Sequence, residues 1–523
     1  MTNLVSHVGE VVERSPEQMA IGYEGEGLSY REFWAQTGQF AAALSDRGIG
    51  ADDRVAVYLP NLPQFLVAFH GTLRAGGVVV PMNPQYKARE IGHLLSDSGA
   101  KAVVSLSDLV PFVEEVKDET SVQEVISVGE EVEGTTPFAE FLSNEQLNVV
   151  ERADDDDAVQ PYTSGTTGQP KGVQLTHNNL ASNTEMAIST VPGGIGAGDK
   201  QLGVLPLFHI YGMTVTMNAT LFDGGAFYPL PSWDAQQATS LIADEEITLM
   251  HGVPAMYNDV INQPNAEEFD LSSLRLAGVG GAGIPIEVLR KFEDLYDVTV
   301  CEGYGLTETS PVTHFNRPDD RRVGSIGKAL PGVDCRVVTE EFSEVGPVER
   351  GPVDEEEVEL DDISGELVIA GPNVMKGYYG LPEANEEVFT EEGGRKWFHT
   401  GDVGYHDEDG FFYVVDREKH VIVTAGYNVY PREVEELLFE HKAVADAAVA
   451  GIPDERRGET IKAFIVPVPD AEVSAEEIKE YCLSNLAEYK HPREVEFVEE
   501  LPRTTTGKVQ KFKLREREGV EAE

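Results

Sequence analysis

Apolar positions over 30–48 fall at helical spacing, with Phe33, Phe40 and Leu44 on one side, and predict an amphipathic helix. A short apolar run at 54–59 then reads as a buried strand that stops at a Pro-Asn turn. The same alternation repeats: helix over 64–75, Val-rich strand over 77–81, helix over 89–98, strand over 102–105. Further strands are expected at 202–205, 248–251 and 274–278. Strands separated by helices imply parallel sheets whose crossover helices cover both faces. The expected class is α/β, with a large N-terminal domain of layered sheets.

Near Gly324 the texture changes to shorter strands and Gly-Pro turns, which predicts a β-rich subdomain. The acidic stretch 340–362 reads as an exposed loop or hairpin. After 411–416 comes a section of roughly a hundred residues with its own helices, at 431–441 and 475–486, and its own strands, at 445–449 and 461–466. It predicts a small α+β C-terminal domain attached by a short connection near Asp416. The expected division is 1–415 and 416–523. No internal repeat is visible.

Composition changes one part of this picture. Lys and Arg number 40 against 92 Asp and Glu, a formal net charge of -52 spread along all 523 residues. Such a surface repels itself in dilute buffer, and salt screens it over about 10 Å at 0.1 M and less at molar strength. A high-salt cytosol explains the charge; nucleic acid, which needs a basic footprint, is not an expected partner. No apolar run approaches the roughly 18 residues of an integral membrane span. His7, Glu10, Glu13 and Arg14 interrupt the first residues, unlike a secretory leader, so a cytoplasmic protein is expected. Cys301, Cys335 and Cys482 lie far apart in no metal or redox spacing and are expected in the core.

The densest chemical signal is Tyr162-Thr163-Ser164-Gly165-Thr166-Thr167-Gly168-Gln169-Pro170-Lys171-Gly172. Hydroxyls and glycines from Thr163 to Gly168 can turn donors toward a polyphosphate, and Lys171 adds charge. The kinase-type loop is excluded, because Gly172 follows Lys171 where Ser or Thr is required. Further candidate segments follow in order: Pro206-Leu207-Phe208-His209-Ile210-Tyr211-Gly212, then Val279-Gly280-Gly281-Ala282-Gly283, where small residues let a flat base approach backbone. Next are Gly303-Tyr304-Gly305-Leu306-Thr307-Glu308-Thr309 and Trp397-Phe398-His399-Thr400-Gly401-Asp402. The last are Asp416-Arg417-Glu418-Lys419, Gly426-Tyr427-Asn428-Val429-Tyr430-Pro431 and Pro502-Arg503-Thr504-Thr505-Thr506-Gly507-Lys508.

These motifs, in this order over nearly the whole chain, resemble the adenylate-forming (AMP-binding) superfamily, and most of all its medium- and long-chain fatty acyl-CoA synthetases. The resemblance implies an ATP-dependent ligase that converts a small carboxylic acid to an acyl-adenylate and then an acyl-CoA, releasing AMP and pyrophosphate. ATP, Mg²⁺ and coenzyme A are the implied cofactors. It places Tyr304 on the adenine, Gly281 and Ala282 beside it, and Asp402 on the ribose hydroxyls. Arg417 is implied at ribose or phosphate, and Gly305 and Thr307 at the nucleotide. Glu308 and Thr163 are implied as metal ligands, the carboxylate suiting a hard cation on phosphate oxygens. His209 is implied beside the acid, Lys508 as catalytic cation and Lys419 as the pivot of a mobile C-terminal domain. Thr424, Gly426 and Tyr427 are implied along the coenzyme A channel. Val423 stands where some relatives carry Lys, so a thioester-stage role for that Lys is absent. Gly283 departs from the Pro frequent at its position. An aryl-acid ligase and a carrier-protein adenylating enzyme are the neighbouring readings, and a catalytically silent nucleotide-binding module is the reading from another class. A monomer or homodimer is expected.

Overall fold

The structure is a computed structural model that describes residues 3–164, 170–353, 358, 360–417, 420–424, 427–454, 456–469, 471, 473–486, 489–504 and 509–518. Of Ser164, Arg417 and Tyr427 only the backbone is described. Gly165, Thr166, Thr167, Gly168, Lys419, Gly426 and Lys508 lie outside the described residues.

The Val-rich segments form one mainly parallel sheet. Arg54–Tyr58 lies between Val78–Pro81 and Ala102–Leu106, with Glu124–Val128 beyond, all parallel. Val55, Val57, Val79 and Val104 are fully buried, as expected of strands covered on both faces. Helix Tyr30–Asp46 leads into the strand Arg54–Tyr58, and helices Pro63–Arg74 and Ala88–Ser98 supply the crossovers that follow. Ser29 starts the first of them through a capping box: its hydroxyl accepts the Glu32 N–H, and its own N–H reaches the Glu32 carboxylate at 2.9 Å.

A second sheet orders Val300–Gly305, Leu276–Val279, Leu249–Gly252, Lys200–Gly203 and Ala226–Pro229 side by side in parallel. At its far edge stands an antiparallel hairpin, Met19–Tyr23 and Glu26–Ser29, which the apolar pattern did not signal. Its outer strand is half exposed and only four residues long, too little pattern to read.

A smaller antiparallel sheet joins Asp334–Val338, Gly365–Ala370, Arg395–His406, Phe389–Glu392 and Phe412–Arg417. This is the β-rich unit. The acidic stretch begins as a turn in which the Thr339 N–H donates to Ser343 O and Val338 bridges Glu344. Another sheet holds Ile422–Thr424, Tyr427–Val429, Val444–Asp454, Gly458–Pro467 and Glu494–Phe497, with helices Pro431–Glu440 and Ala475–Asn485. The chain is thus mixed α/β, with large N-terminal sheets and a smaller C-terminal α+β unit. The strands expected at 445–449 and 461–466 are parts of a longer ribbon that runs in register to Asp454 and Gly458. Pro453 is tolerated within it because Val444–Asp454 is an edge strand.

Cys301 and Cys482 are buried as expected, whereas Cys335 is only half-buried because its strand, Asp334–Val338, forms the sheet edge. No described helix is long and apolar enough to cross a membrane.

His70 is 1% exposed, edge-on to Phe33 and Phe69, and its Nδ1–H donates to Leu66 O at 2.9 Å. Burial pushes its pKa down to about 4, against some upward pull from that bond. The unfolded imidazole takes up its proton near pH 6.5, so between pH 6.5 and 4 the unfolded chain binds more protons and stability falls as pH falls. His70→Phe should flatten that slope by up to ~1.4 kcal/mol per pH unit. Urea midpoints at pH 5 and 7 check this: identical pH dependence in both proteins would refute it.

Candidate functional site

Strands Tyr162–Ser164 and Pro170–Thr176 pair antiparallel, so the phosphate-type segment is a hairpin with Thr163 directly opposite Lys171. Tyr162 anchors its base: the phenol donates to Asp97 Oδ2 at 2.6 Å and accepts from Gln160 Nε2 at 2.9 Å. Gly172 is required there, since a Cβ would lie 2.7 Å from Gln160 Nε2.

On the other side of Pro170–Thr176 lies a two-residue strand, Gly377–Tyr378, in register with Gln174 and Val173. Tyr378 was not singled out from sequence. Its hydroxyl donates to Glu308 Oε1 at 3.0 Å, and the Lys171 ammonium lies 5.1 Å above its ring. Glu308 itself sits in the short turn Thr307–Thr309 that follows strand Val300–Gly305.

Tyr304 leaves that strand facing the β-rich unit, and its hydroxyl donates to Asp402 Oδ2 at 2.5 Å. Asp402 is 3% exposed and is paired in register with Arg417. His314 braces Tyr304 from behind, with ring centres 5.9 Å apart, and packs on Phe412 at 4.7 Å. Burial pushes His314 down to about 3, so it is a neutral spacer near pH 7.

Gly281 follows strand Leu276–Val279 in the left-handed region, φ 82°, and Ala282 is exposed beside it. Next to these backbones opens a cavity enclosing about 610 Å³ of empty space, its open mouth included. Its walls are Gly280, Gly281, Gly303, Tyr304, Gly305, Leu306 and Thr307 on one side, with Ala187, Thr190, Val215, Pro311, Val312 and Phe315 on the other. His209, Tyr211 and His251 complete it. His209 is held by its own turn: its N–H donates to Pro206 O at 3.0 Å, and Nδ1 accepts the Tyr211 N–H at 3.2 Å. The helix Tyr211–Asn218 that follows is of the wide π type.

Sequence reasoning also missed the Tyr211–His251 pair. The phenol lies 3.3 Å from His251 Nδ1, and the rings are perpendicular at 84°. A Cβ on Gly278 would stand 2.3 Å from that nitrogen, so the glycine makes room for the imidazole. Burial pushes His251 down to about 4.

His209, Gly281, Tyr304, Gly305 and Thr307 therefore line one cavity. Asp402 touches it through Tyr304, Glu308 follows Thr307 of its wall, and Tyr378 links Glu308 to Lys171. Thr424 is not brought to this cluster by its strand pairing: its ladder partners are Tyr427 and Gly458. Among the described residues no three His, Cys, Asp or Glu side chains gather as a metal cage. A single carboxylate such as Glu308 suits Mg²⁺, which takes one or two carboxylates and completes its shell with phosphate oxygens and water.

A model of the AMP-binding enzyme family matches residues 8–379, and a model of the AMP-binding enzyme C-terminal domain matches 433–508. The chain belongs to the AMP-binding enzyme family. It is 37% identical to a long-chain-fatty-acid–CoA ligase of Bacillus subtilis, over 98% of this chain and 94% of the relative. It is 34% identical to a feruloyl-CoA synthase of an Amycolatopsis species, over 97% of each. Among solved structures, ATP-bound MatB from Rhodopseudomonas palustris is 31% identical and superposes with a TM-score of 0.89, covering 99% of both chains. The apo form of that protein gives 0.78.

The packing of the cavity wall is testable. A Cβ on Gly305 would stand 2.0 Å from Pro311 O, a backbone atom with no freedom to move aside. Gly305→Ala should cost about 1–3 kcal/mol, as overpacking does. Differential scanning calorimetry would contradict this if the variant melts with wild type.

Proposed function

We propose that this enzyme is an ATP-dependent acid–CoA ligase that activates a medium- or long-chain fatty acid through its acyl-adenylate. The observation that carries the reading is the mainly apolar cavity opening beside the Tyr304–Asp402 pair. The long-chain ligase relative supports it. In this reading adenine lies against Tyr304 and the Gly281–Ala282 backbone, and Asp402 and Arg417 hold the ribose. The acyl chain fills the cavity with its carboxylate near His209.

The chemistry follows from charge. A carboxylate oxygen must attack an α-phosphorus that is itself negative, so the site has to neutralise charge and align the reactants. Thr163, Ser164, Gly165, Thr166, Thr167 and Gly168 offer donors to the phosphates, and Lys171 a cation. Mg²⁺ bound at Glu308, with Thr163 nearby, would offset phosphate charge. Lys508 bridges carboxylate and α-phosphate; the acyl–phosphate bond forms and the bond to pyrophosphate breaks. A coenzyme A thiol then attacks the acyl carbon and AMP leaves. Residues 416–523 form a mobile small domain that turns about Lys419 against 1–415 between the steps, bringing Thr424, Gly426 and Tyr427 to the pantetheine arm.

A second reading, an aryl-acid ligase, is favoured by one observation: Tyr211 and His251 put a neutral hydrogen-bonding pair into the cavity wall. A hydroxyl-bearing ring would satisfy them better than an alkyl chain. The feruloyl-CoA synthase relative points the same way.

The deciding experiment supplies ATP, Mg²⁺, coenzyme A and a mixed pool of fatty and aromatic acids, with mass spectrometry of products. A CoA thioester appearing with AMP is expected, its acyl mass choosing the substrate class; ADP instead of AMP would refute the reading. Lys508→Ala should abolish adenylation yet still convert supplied acyl-adenylate to thioester, and loss of both steps would contradict that division of labour.

The charge of -52 fits a cytoplasm rich in salt. ATP and coenzyme A are polyanions approaching a repulsive surface, and salt screens that repulsion. Turnover should rise with KCl toward molar levels. A maximum below about 0.2 M, where the screening length is still several ångströms, would overturn the high-salt assignment.

A further inference from the structure

The segment 375–379 lies between the phosphate hairpin and the Glu308 turn and is bonded to both. At one end the Met375 N–H donates to Glu308 O at 2.8 Å. In the middle the Lys376 N–H donates to Gln174 O at 3.0 Å, and at the other end the Tyr379 N–H donates to Gly172 O at 2.8 Å. The backbone of this segment therefore sets the spacing between the residue after Lys171 and the residue that carries the carboxylate. Gly377 and Asn385 pin the segment in turn: the Tyr378 N–H donates to Asn385 Oδ1 at 2.6 Å, and Asn385 Nδ2 returns a bond to Tyr378 O at 3.1 Å.

One side chain on this segment touches both functional groups. Tyr378 is 8% exposed, and its hydroxyl reaches Glu308 Oε1 while its ring face carries the Lys171 ammonium. We propose that Tyr378 is a positioning residue: its hydroxyl orients Glu308 for the metal ion of the ATP complex, and its ring holds Lys171 beside that carboxylate until phosphate arrives. This rests on the reading of Glu308 as the metal ligand.

The chemistry suits both tasks. A phenol is a proton donor near neutral pH, and here it points at the Glu308 carboxylate, which can only accept. A donor on Oε1 leaves Oε2 turned away for a cation, as outer groups that bond to ligating carboxylates commonly do. The ring, in contrast, holds Lys171 only by a cation–π contact worth about 0.5–2 kcal/mol, weak enough to be exchanged for a polyphosphate.

The two tasks separate by mutation in the full-length enzyme. Tyr378→Phe keeps the ring and loses the donor. It should raise the Mg²⁺ concentration for half-maximal ATP binding by about tenfold, leave metal-free AMP binding within about twofold of wild type, and recover wild-type turnover at saturating Mg²⁺. Tyr378→Leu removes the ring as well, and should also raise the ATP KM at saturating Mg²⁺. Calorimetric titrations of ATP at graded Mg²⁺ read the first effect without relying on activity, and melting temperatures verify folding of each variant. Glu308→Gln serves as the reference for the reading beneath. If Glu308→Gln raises the Mg²⁺ requirement and Tyr378→Phe does not, the positioning role is wrong while the metal site stands. If neither changes it, Glu308 is not the ligand and the proposal falls with it. A Tyr378→Phe defect that excess Mg²⁺ leaves unrelieved would also overturn it.

Discussion

The Met375 N–H donates to the Glu308 carbonyl, a bond between two large sheets that share no strand. Glu308 lies in the turn between Val300–Gly305 and Val312–Phe315 of the sheet built around Leu249–Gly252, and Met375 leads into the last strand of the sheet built around Arg54–Tyr58. The two sheets share one buried core, to which Val55, Val79, Leu249 and Leu276 all belong, but apolar packing is non-directional and sets their offset only loosely. Hydrogen bonds are directional and are costly to leave unmade when buried. This seam therefore adds a fixed registry to the shared packing. Tyr304 does the same toward the third sheet through Asp402. The site stands where the three sheets are tied.

That origin explains what could be read from the chain and what could not. The parallel strands were legible because burial on both faces leaves runs of Val such as 78–80 that few other structures permit. The segment around Thr163 and Lys171, Tyr304 and Asp402 could be singled out because each lies in a contiguous motif, although the strand pairing of the first was not foreseen. Tyr378 was not: it stands 70 residues from the carboxylate it touches, in a segment whose only local sign is Gly377-Tyr378-Tyr379. His251 was hidden for the same reason, being 40 residues from Tyr211 and seated only because Gly278, on the next strand, lacks a Cβ. Short motifs record what a ligand demands of neighbouring residues. The seams between sheets are recorded nowhere locally. The outer strand of the edge hairpin, Glu26–Ser29, was illegible for a third reason: four half-exposed residues carry too little period to register.

Charge within the site contrasts with charge on the surface. The chain carries a large negative excess, yet three titratable groups in or behind the cavity wall are held neutral by burial. His251 and His314 have pKa values pushed down to about 4 and 3, and Tyr211 is raised by burial alone. Neutral dipoles in the wall let an apolar group enter without desolvating an ion, a step that would be expensive.

Glu302 shows where that economy of charge is broken. It lies one strand position from Gly303 in the cavity wall, is 6% exposed, and burial pushes its carboxyl up to about 7, with Arg432 pulling the other way. Arg432 belongs to the helix Pro431–Glu440, donates to Val414 O at 3.2 Å, and comes so near Gly283 that a Cβ there would stand 2.7 Å from the guanidinium. The glycine at 283 is thus met by an arginine from another element, whose guanidinium fills the space beside it. Arg432 is a quarter exposed; burial pulls its pKa down, but Glu436, Glu302 and Asp416 outweigh that and hold it charged. The departure from the family pattern at Gly283 therefore coincides with a charged contact from the helix Pro431–Glu440 to the turn after strand Leu276–Val279.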